Sequence, residues 1–187
     1  MRDLFLTLAC LSLLLTTALA QDPPVLSNHG LEAYRLNEML PAEDSLPGVS
    51  HKVVTVAESA EGMNYNVQYA KIFYKGYYLG RAKLDGEGLI EELEIVSDKV
   101  RHQAGYRVGS TWRELQMAIT DPTLHYTYVS ESLFATSPEI DTVQAHFDTR
   151  DYRGKAALSG EYQTLANDAL PDNAKIKMIR MFTIAEE

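Results

Sequence analysis

Apolar and polar residues alternate along most of the chain, which is the pattern of strands that bury one face. Residues 65–74 show this alternation, and the Lys75-Gly76 pair that follows predicts a tight hairpin turn into a returning strand at residues 77–84. The other predicted strands are short and lie at residues 29–36, 49–57, 89–96, 124–129, 142–147 and 175–184. The longer segments predicted as loops lie at residues 58–62, 130–141 and 148–171.

One amphipathic helix is predicted within this series of strands. It begins at Ser110 or Thr111, because Thr111 and Glu114 fit a capping box in which each side chain satisfies a free N–H of the first turn. The apolar residues of the helix recur at helical spacing and form one stripe: Trp112, Leu115 and Ile119. The proline and acidic residues of the segment 41–46 favour one further helical turn.

The strands come in runs without alternating helices, which argues against a parallel α/β sheet. We therefore predict an α+β fold that is β-rich, with a mostly antiparallel sheet in a meander or sandwich-like arrangement and one clear amphipathic helix. In the strand at residues 89–96, Leu93 and Ile95 share one face, and Glu92 and Glu94 share the other. The two glutamates are accordingly interpreted as a solvated strand face.

The first twenty residues have the features of a secretory signal peptide. Arg2 gives a positive start, residues 4–19 are largely apolar, and a small-x-small cleavage pattern ends at Ala20 and leaves Gln21 as the new N-terminus. The apolar run is shorter than the roughly 20 residues that a membrane-spanning helix needs. We therefore expect an exported protein, located in the periplasm or secreted, with no transmembrane segment after the signal is removed.

Removal of the first 20 of 187 residues would leave 167, the size of one domain. Residues 21–28 contain two prolines and no periodicity, so they are predicted to form an N-terminal tether. Residues 29–187 are predicted to form a single β-rich globular domain. The net charge of −9 makes the chain a poor partner for nucleic acid, whose binding depends on Lys and Arg neutralising phosphates.

The only cysteine, Cys10, lies inside the predicted signal. A mature chain without cysteine excludes a disulfide framework, a zinc site built on thiolates and a cysteine nucleophile. The sequence Thr7-Leu-Ala-Cys10 only loosely resembles a lipoprotein attachment motif, and cleavage there would leave most of the apolar run unused. A lipid anchor is therefore not expected.

The histidines, His29, His51, His102, His125 and His146, lack the spacing of a metal site such as HExxH. His125 and His146 each fall on a predicted strand, and neighbouring strands could bring them together as a metal-binding or general-base pair. The alternative, which we favour, is that both are solvent-facing strand histidines.

No other motif predicts catalysis. The chain has no Gly-x-Ser-x-Gly elbow, and Ser110 is interpreted as a helix cap rather than a nucleophile. Its glycine-rich stretches match neither a phosphate loop nor a dinucleotide-binding turn. We therefore assign no catalytic, cofactor-binding or metal-binding residue and predict that the protein is not an enzyme.

Tyrosine is unusually frequent in the chain, which contains eleven, and several of the tyrosines cluster in one predicted hairpin. They fit either β-propensity with half-buried packing or an aromatic surface for a protein or glycan partner. The candidate partner surface consists of Tyr74, Tyr77, Tyr78, Tyr152 and Arg153.

A series of short motifs resembles, in the same order, a family of small Gram-negative envelope proteins of unknown function, typified by an outer-membrane lipoprotein under sigma-E control. The motifs are LSNHGL at 26–31, LPG at 46–48, GLIxxLxIVS at 88–97, GYRVGS at 105–110, DYRG at 151–154 and LPDNAKIKMI at 170–179. The resemblance implies an envelope location and a non-enzymatic role, and it supplies no catalytic residues. The chain departs from the lipoprotein pattern because no cysteine follows the apolar run.

The most consistent hypothesis is an exported envelope protein that acts as a non-enzymatic binding or accessory protein of the periplasm, without a cofactor, on an envelope protein or glycan. One alternative is a secreted inhibitor of a basic lytic enzyme such as lysozyme, since an acidic exported protein suits such a target electrostatically. Another is a cell-wall hydrolase that uses carboxylates.

Overall fold

The computed structural model describes residues 23–42, 46–60, 62–138, 140–154, 157–159 and 161–183. The predicted signal segment, with its cleavage site between Ala20 and Gln21, lies outside these residues, as does the middle of the helical turn predicted at 41–46. The regular elements are β1 Val25–Ser27, β2 Gly30–Leu31, β3 Tyr34–Arg35, β4 Val49–Ala60, β5 Met63–Tyr74, β6 Tyr77–Leu84, β7 Ile90–Ile95, β8 Arg101–His102, α1 Trp112–Ala118, β9 Thr123–Thr127, β10 Ser132–Ser137, β11 Ile140–Phe147, β12 Gln163–Leu165 and β13 Met178–Phe182.

Nine of these strands form one antiparallel sheet in the order β12-β9-β10-β11-β13-β7-β6-β5-β4. The others form a small sheet, β3-β2-β1-β8, in which β1 and β8 run parallel. The segment predicted as a tether contains β1, whose Leu26 is fully buried. Among the described residues, no helix combines the length and the apolar character needed to cross a membrane.

The predicted α+β class is wrong. The described residues contain a single α-helix of seven residues, and the large sheet dominates the architecture, so the protein belongs to the β class. The apolar stripe overstated the helix because its last member, Ile119, already has extended backbone angles and caps the helix. The predicted capping box is confirmed, with Thr111 as the N-cap: the Thr111 hydroxyl accepts from Glu114 N–H, and Thr111 N–H donates to the Glu114 carboxylate.

The hairpin predicted at Lys75-Gly76 is confirmed. Both residues have positive φ, 48° and 81°, as the two central positions of a type I′ turn require. The loop predicted at 130–141 is wrong, because most of it is β10 and the start of β11. Three consecutive residues of β10 are buried, Leu133, Phe134 and Ala135, so the strand shows no alternation in its sequence.

The core lies against one face of the large sheet. Alternate residues of neighbouring strands are in register there and buried, as in the row Ala82, Leu93, Met181 and Val143. Burial of each large aliphatic side chain contributes roughly 1.5–3 kcal/mol. The helix covers this face through Trp112, whose ring meets Phe147 edge-on at 5.7 Å between centroids. The small sheet also contacts the large sheet, because the hydroxyl of Tyr34 on β3 lies 3.1 Å from Nδ1 of His51 on β4.

Candidate binding face

The residues that point away from the core form a continuous row, which we call the polar face: Tyr69, Arg81, Glu92, Glu94, Arg180, His146, Phe134 and His125. The strand register builds it. Arg81, Glu94 and Arg180 lie opposite one another on β6, β7 and β13. One step along the strands, His146, Phe134 and His125 lie opposite one another on β11, β10 and β9. The row therefore crosses most of the large sheet.

Ion pairs hold the centre of the polar face. Arg81 Nε donates to Glu94 Oε2, and Arg180 Nη2 donates to Glu92 Oε2 at 2.5 Å. The Arg81 guanidinium also lies 4.2 Å from the centroid of the Tyr69 ring, within range of a cation–π interaction. The hydroxyl of Tyr69 in turn donates to Glu58 Oε1 at 2.6 Å. These contacts fix five charged side chains and one aromatic ring in a single arrangement.

The interpretation of Glu92 and Glu94 as a solvated strand face is wrong. Glu92 is only 8% exposed, and both glutamates accept from arginines on neighbouring strands. Burial would raise the pKa of Glu94, but the hydrogen bond and charge of Arg81 outweigh burial and hold that pKa below its usual value. The alternation in β7 was read correctly, but a single sequence does not show which cations the other strands place opposite the acids.

The interpretation of His125 and His146 as solvent-facing is also wrong, and they do not form a pair. Both are buried, and β10 lies between their strands, so the Phe134 ring separates the two imidazoles. The ring centroids are 5.4 Å apart for Phe134 and His146, and 5.5 Å apart for Phe134 and His125. Tyr162 continues this aromatic stack, 5.0 Å from His125.

Each histidine of the stack is bound to neighbouring polar groups. His146 Nε2 lies 3.1 Å from Gln144 Oε1, and His125 Nε2 lies 3.1 Å from Thr136 Oγ1. Burial lowers the pKa of His125, and burial with the nearby Arg180 charge lowers the pKa of His146 to about 4. Both imidazoles are therefore neutral at pH 7. Within the described ranges, no three acidic, histidine or cysteine side chains cluster in a way that could hold a metal ion.

The residues of the candidate partner surface predicted from the sequence do not lie together in the structure. Tyr74 is buried, whereas Tyr77 and Tyr78 at the β5–β6 turn are exposed, and Tyr78 contacts Phe73 on the polar face with 5.7 Å between the ring centroids. The other two predicted residues, Tyr152 and Arg153, line a cavity of about 380 Å³ together with β12, at the other end of the strand order. The predicted set is thus spread over two separate parts of the sheet.

Ser110 does not cap the helix. Its hydroxyl accepts from Arg107 N–H at 3.2 Å and closes the turn that precedes the N-cap Thr111. Sequence reasoning missed Arg81, Arg180 and Phe134 as members of the polar face. The sequence offered only a partial signal for Arg81 and Arg180, because each is a cation at a polar position of an alternating strand, but their pairing with β7 depends on the strand order.

No protein-family model matches the chain, and no curated protein matches it. Among solved structures, the chain is similar to the uncharacterized protein yfeY from Escherichia coli, at a TM-score of 0.56 and 14% identity. The match covers 84% of this chain and 99% of that one. The similarity shows a shared fold with an uncharacterised protein of a Gram-negative bacterium.

Proposed function

We propose that the protein is an exported, non-enzymatic binding protein of the bacterial cell envelope, and that its polar face holds a protein partner. The location is supported by the N-terminal signal pattern and by the motif resemblance to Gram-negative envelope proteins. The similarity of fold to the Escherichia coli protein is compatible with that location. The proposed compartment is the periplasm.

The observation that carries the proposal is the state of the titratable groups on the polar face. Glu92 and Glu94 are held by arginines, and the pKa values of His125 and His146 are lowered by burial. A general acid or base works best with a pKa near the operating pH, and the acid of a glycosidase needs a raised pKa. The polar face is instead a fixed, preorganised arrangement of charges and rings, which suits recognition.

The composition of the polar face favours a protein as the partner. Interface centres are enriched in Tyr, Phe, Met and Arg and depleted in Lys, Glu and Asp, and the two glutamates of the polar face are mostly buried and paired with its arginines. Here two arginines lie at the centre, and exposed tyrosines lie at both ends of the row: Tyr78 is 41% exposed and Tyr162 is 60% exposed. Each tyrosine contacts a partly or fully buried ring, so its position is fixed before binding. Tyr78 and Tyr162 are the proposed anchors.

Site-specific photo-cross-linking in living cells tests this proposal. A photoreactive amino acid replaces Tyr78 or Tyr162, and in control variants it replaces Met117 on the helix or Val129 after β9, both of which are highly exposed. We expect adducts of one protein from the tyrosine positions and none from the controls, with the protein in the periplasmic fraction. Equal labelling at all four positions, or no protein adduct at either tyrosine, contradicts the proposal. An adduct with a lytic enzyme identifies the inhibitor alternative.

A further inference from the structure

The outermost strand of the large sheet, β4, has a long unpaired edge. Its twelve residues pair with β5 in an unbroken register, and in the described part of the chain no strand pairs with its other side. Long exposed edges attract other strands, and proteins block them with prolines, bulges or charges. The edge β4 contains no proline and no bulge, and its two charged residues, Lys52 and Glu58, are of opposite sign, whereas the opposite edge strand, β12, has only three residues. The β4 edge is therefore a template for another strand.

The hydrogen bonds beside β4 show which of its backbone groups point outward. Lys75 N–H donates to Gly48 O at 2.6 Å, so Gly48 and the even-numbered residues after it direct their backbone groups toward β5. Val49 N–H points the other way and donates to Leu46 O. The residues whose N–H and C=O groups face outward are therefore the odd-numbered ones: His51, Val53, Thr55, Ala57 and Ser59.

We propose that β4 pairs antiparallel with β4 of a second copy of the chain, about a two-fold axis at Thr55. This register places Lys52 opposite Glu58 of the other copy twice, once on each side of the axis. Axes at the neighbouring positions 53, 54, 56 and 57 would instead place Lys52 opposite Val54, Val56, Ala60 and Gly62, so charge complementarity selects Thr55. The pairing would form about ten backbone hydrogen bonds.

The side chains along the edge suit this arrangement. Lys52 is exposed and has no ion-pair partner among the described residues. The Tyr69 hydroxyl engages Oε1 of Glu58, which leaves Oε2 for a cation. Val53 is 46% exposed and Val56 is 37% exposed, and in the dimer they pack against Ala57 and Val54 of the other copy. Cross-strand pairs of opposite charge and of β-branched residues both stabilise antiparallel strands.

The two-fold axis stands perpendicular to the sheet, because both copies contribute the same outward-facing residues to the hydrogen-bonded pairs. The polar faces of the two copies therefore lie on the same side of one continuous sheet. This inference stands independently of the partner proposed above, and it predicts that any ligand of the polar face meets two copies of that face side by side.

Charge reversal tests the register. The protein is purified from cells that express the full chain, and its dimerisation is measured by sedimentation equilibrium. We expect Lys52→Glu and Glu58→Lys each to raise the dimer dissociation constant by about tenfold or more, because each creates two like-charge contacts. The double variant K52E/E58K restores both ion pairs and is expected to return the constant to near the wild-type value.

A backbone variant tests the edge itself. Thr55→Pro removes an outward N–H at the axis and leaves the bonds to β5 intact, so it should give a monomer, whereas Thr55→Ala should remain dimeric. Circular dichroism confirms that each variant is folded. A wild-type protein that is monomeric up to millimolar concentration overturns the proposal. So does a double variant that dimerises no better than the single ones, or a Thr55→Pro dimer as stable as that of Thr55→Ala.

Discussion

The guanidinium of Arg180 pairs with Glu92, although the residue directly opposite Arg180 in the strand register is Glu94. Glu94 is already engaged from the other side by Arg81, so Arg180 reaches diagonally along β7 to the second glutamate. The acidic strand thus lies between two cationic strands and its charges are divided between them. This cross-strand arrangement predicts that the charges of Arg180 and Glu92 stabilise each other, so that removing one of them destabilises the protein.

Glu92→Gln is expected to lower the free energy of unfolding by about 1–2 kcal/mol, because it removes the charged hydrogen-bond partner of the half-buried Arg180. The Nε atom of Arg180 is already buried without a hydrogen-bond partner in the described structure, which makes the site sensitive to further loss. Urea denaturation at pH 7 measures the change.

Glu91→Gln is the matched control for this change. Glu91 neighbours Glu92 and pairs with Lys83 at 3.1 Å, but its side chain is about half exposed. Exposed pairs contribute little, so we expect a change within about 0.5 kcal/mol. An equal effect of the two variants would show that burial of the Arg180 pair is not what stabilises it.

Stability is expected to fall as the pH is lowered from 6.5 toward 4. Burial lowers the pKa values of His102 and His146 to about 4, whereas in the unfolded chain both lie near 6.5. Within this window the unfolded state binds more protons, so acid favours unfolding. Each histidine should lower the free energy of unfolding by on the order of 1–2 kcal/mol between pH 7 and pH 5.

His146→Phe separates this contribution from that of the carboxylates. The substitution preserves a ring beside Phe134 and removes the titrating group, so the difference in stability between pH 7 and pH 5 should shrink. Denaturant titrations of both proteins at the two pH values measure it. An equal loss of stability between pH 7 and pH 5 in both proteins would show that His146 is not neutral in the folded state.

Much of the fold followed from local patterns. The Lys75-Gly76 turn and the Thr111–Glu114 cap were predictable because each depends on residues within a few positions of one another. β10 was not, because a strand buried on both faces has no alternation to read. The extent of the helix was overstated because spacing alone does not show where the backbone turns extended, as it does at Ile119.

The candidate binding face could be predicted only in part. Glu92 and Glu94 were placed correctly on one face of a strand, but their environment depends on Arg81 and Arg180, and Arg180 lies 88 positions from Glu92. The same holds for the histidines, since nothing in the sequence indicates that Phe134 lies between His125 and His146. Strand order, which long-range pairing decides, is the information that a single sequence lacks.

Thr111→Ala is expected to lower the free energy of unfolding by about 1 kcal/mol. The Thr111 hydroxyl accepts a hydrogen bond from a first-turn N–H. Because the helix has only seven residues, this cap is a large part of its local stabilisation. Thr120→Ala is the control, because Thr120 is exposed just beyond the helix. Thermal unfolding followed by circular dichroism compares them, and equal stability of the two variants would contradict a stabilising role for the cap.

Gly80→Ala is expected to be among the most damaging single substitutions in the sheet. Gly80 lies on β6 with φ +159°, and a Cβ atom there would overlap the backbone carbonyl of Glu94 on β7. Because the overlapping atoms belong to the backbone, one of the two strands must shift, and β7 is the strand that positions both central glutamates. We expect the free energy of unfolding to fall by about 3 kcal/mol or more, or the protein to be insoluble. Gly86→Ala, in the next turn, meets no atom within 4 Å and should change stability by no more than about 0.5 kcal/mol. A Gly80→Ala protein that unfolds at the same temperature as the wild type would show that β6 and β7 are farther apart than the structure places them.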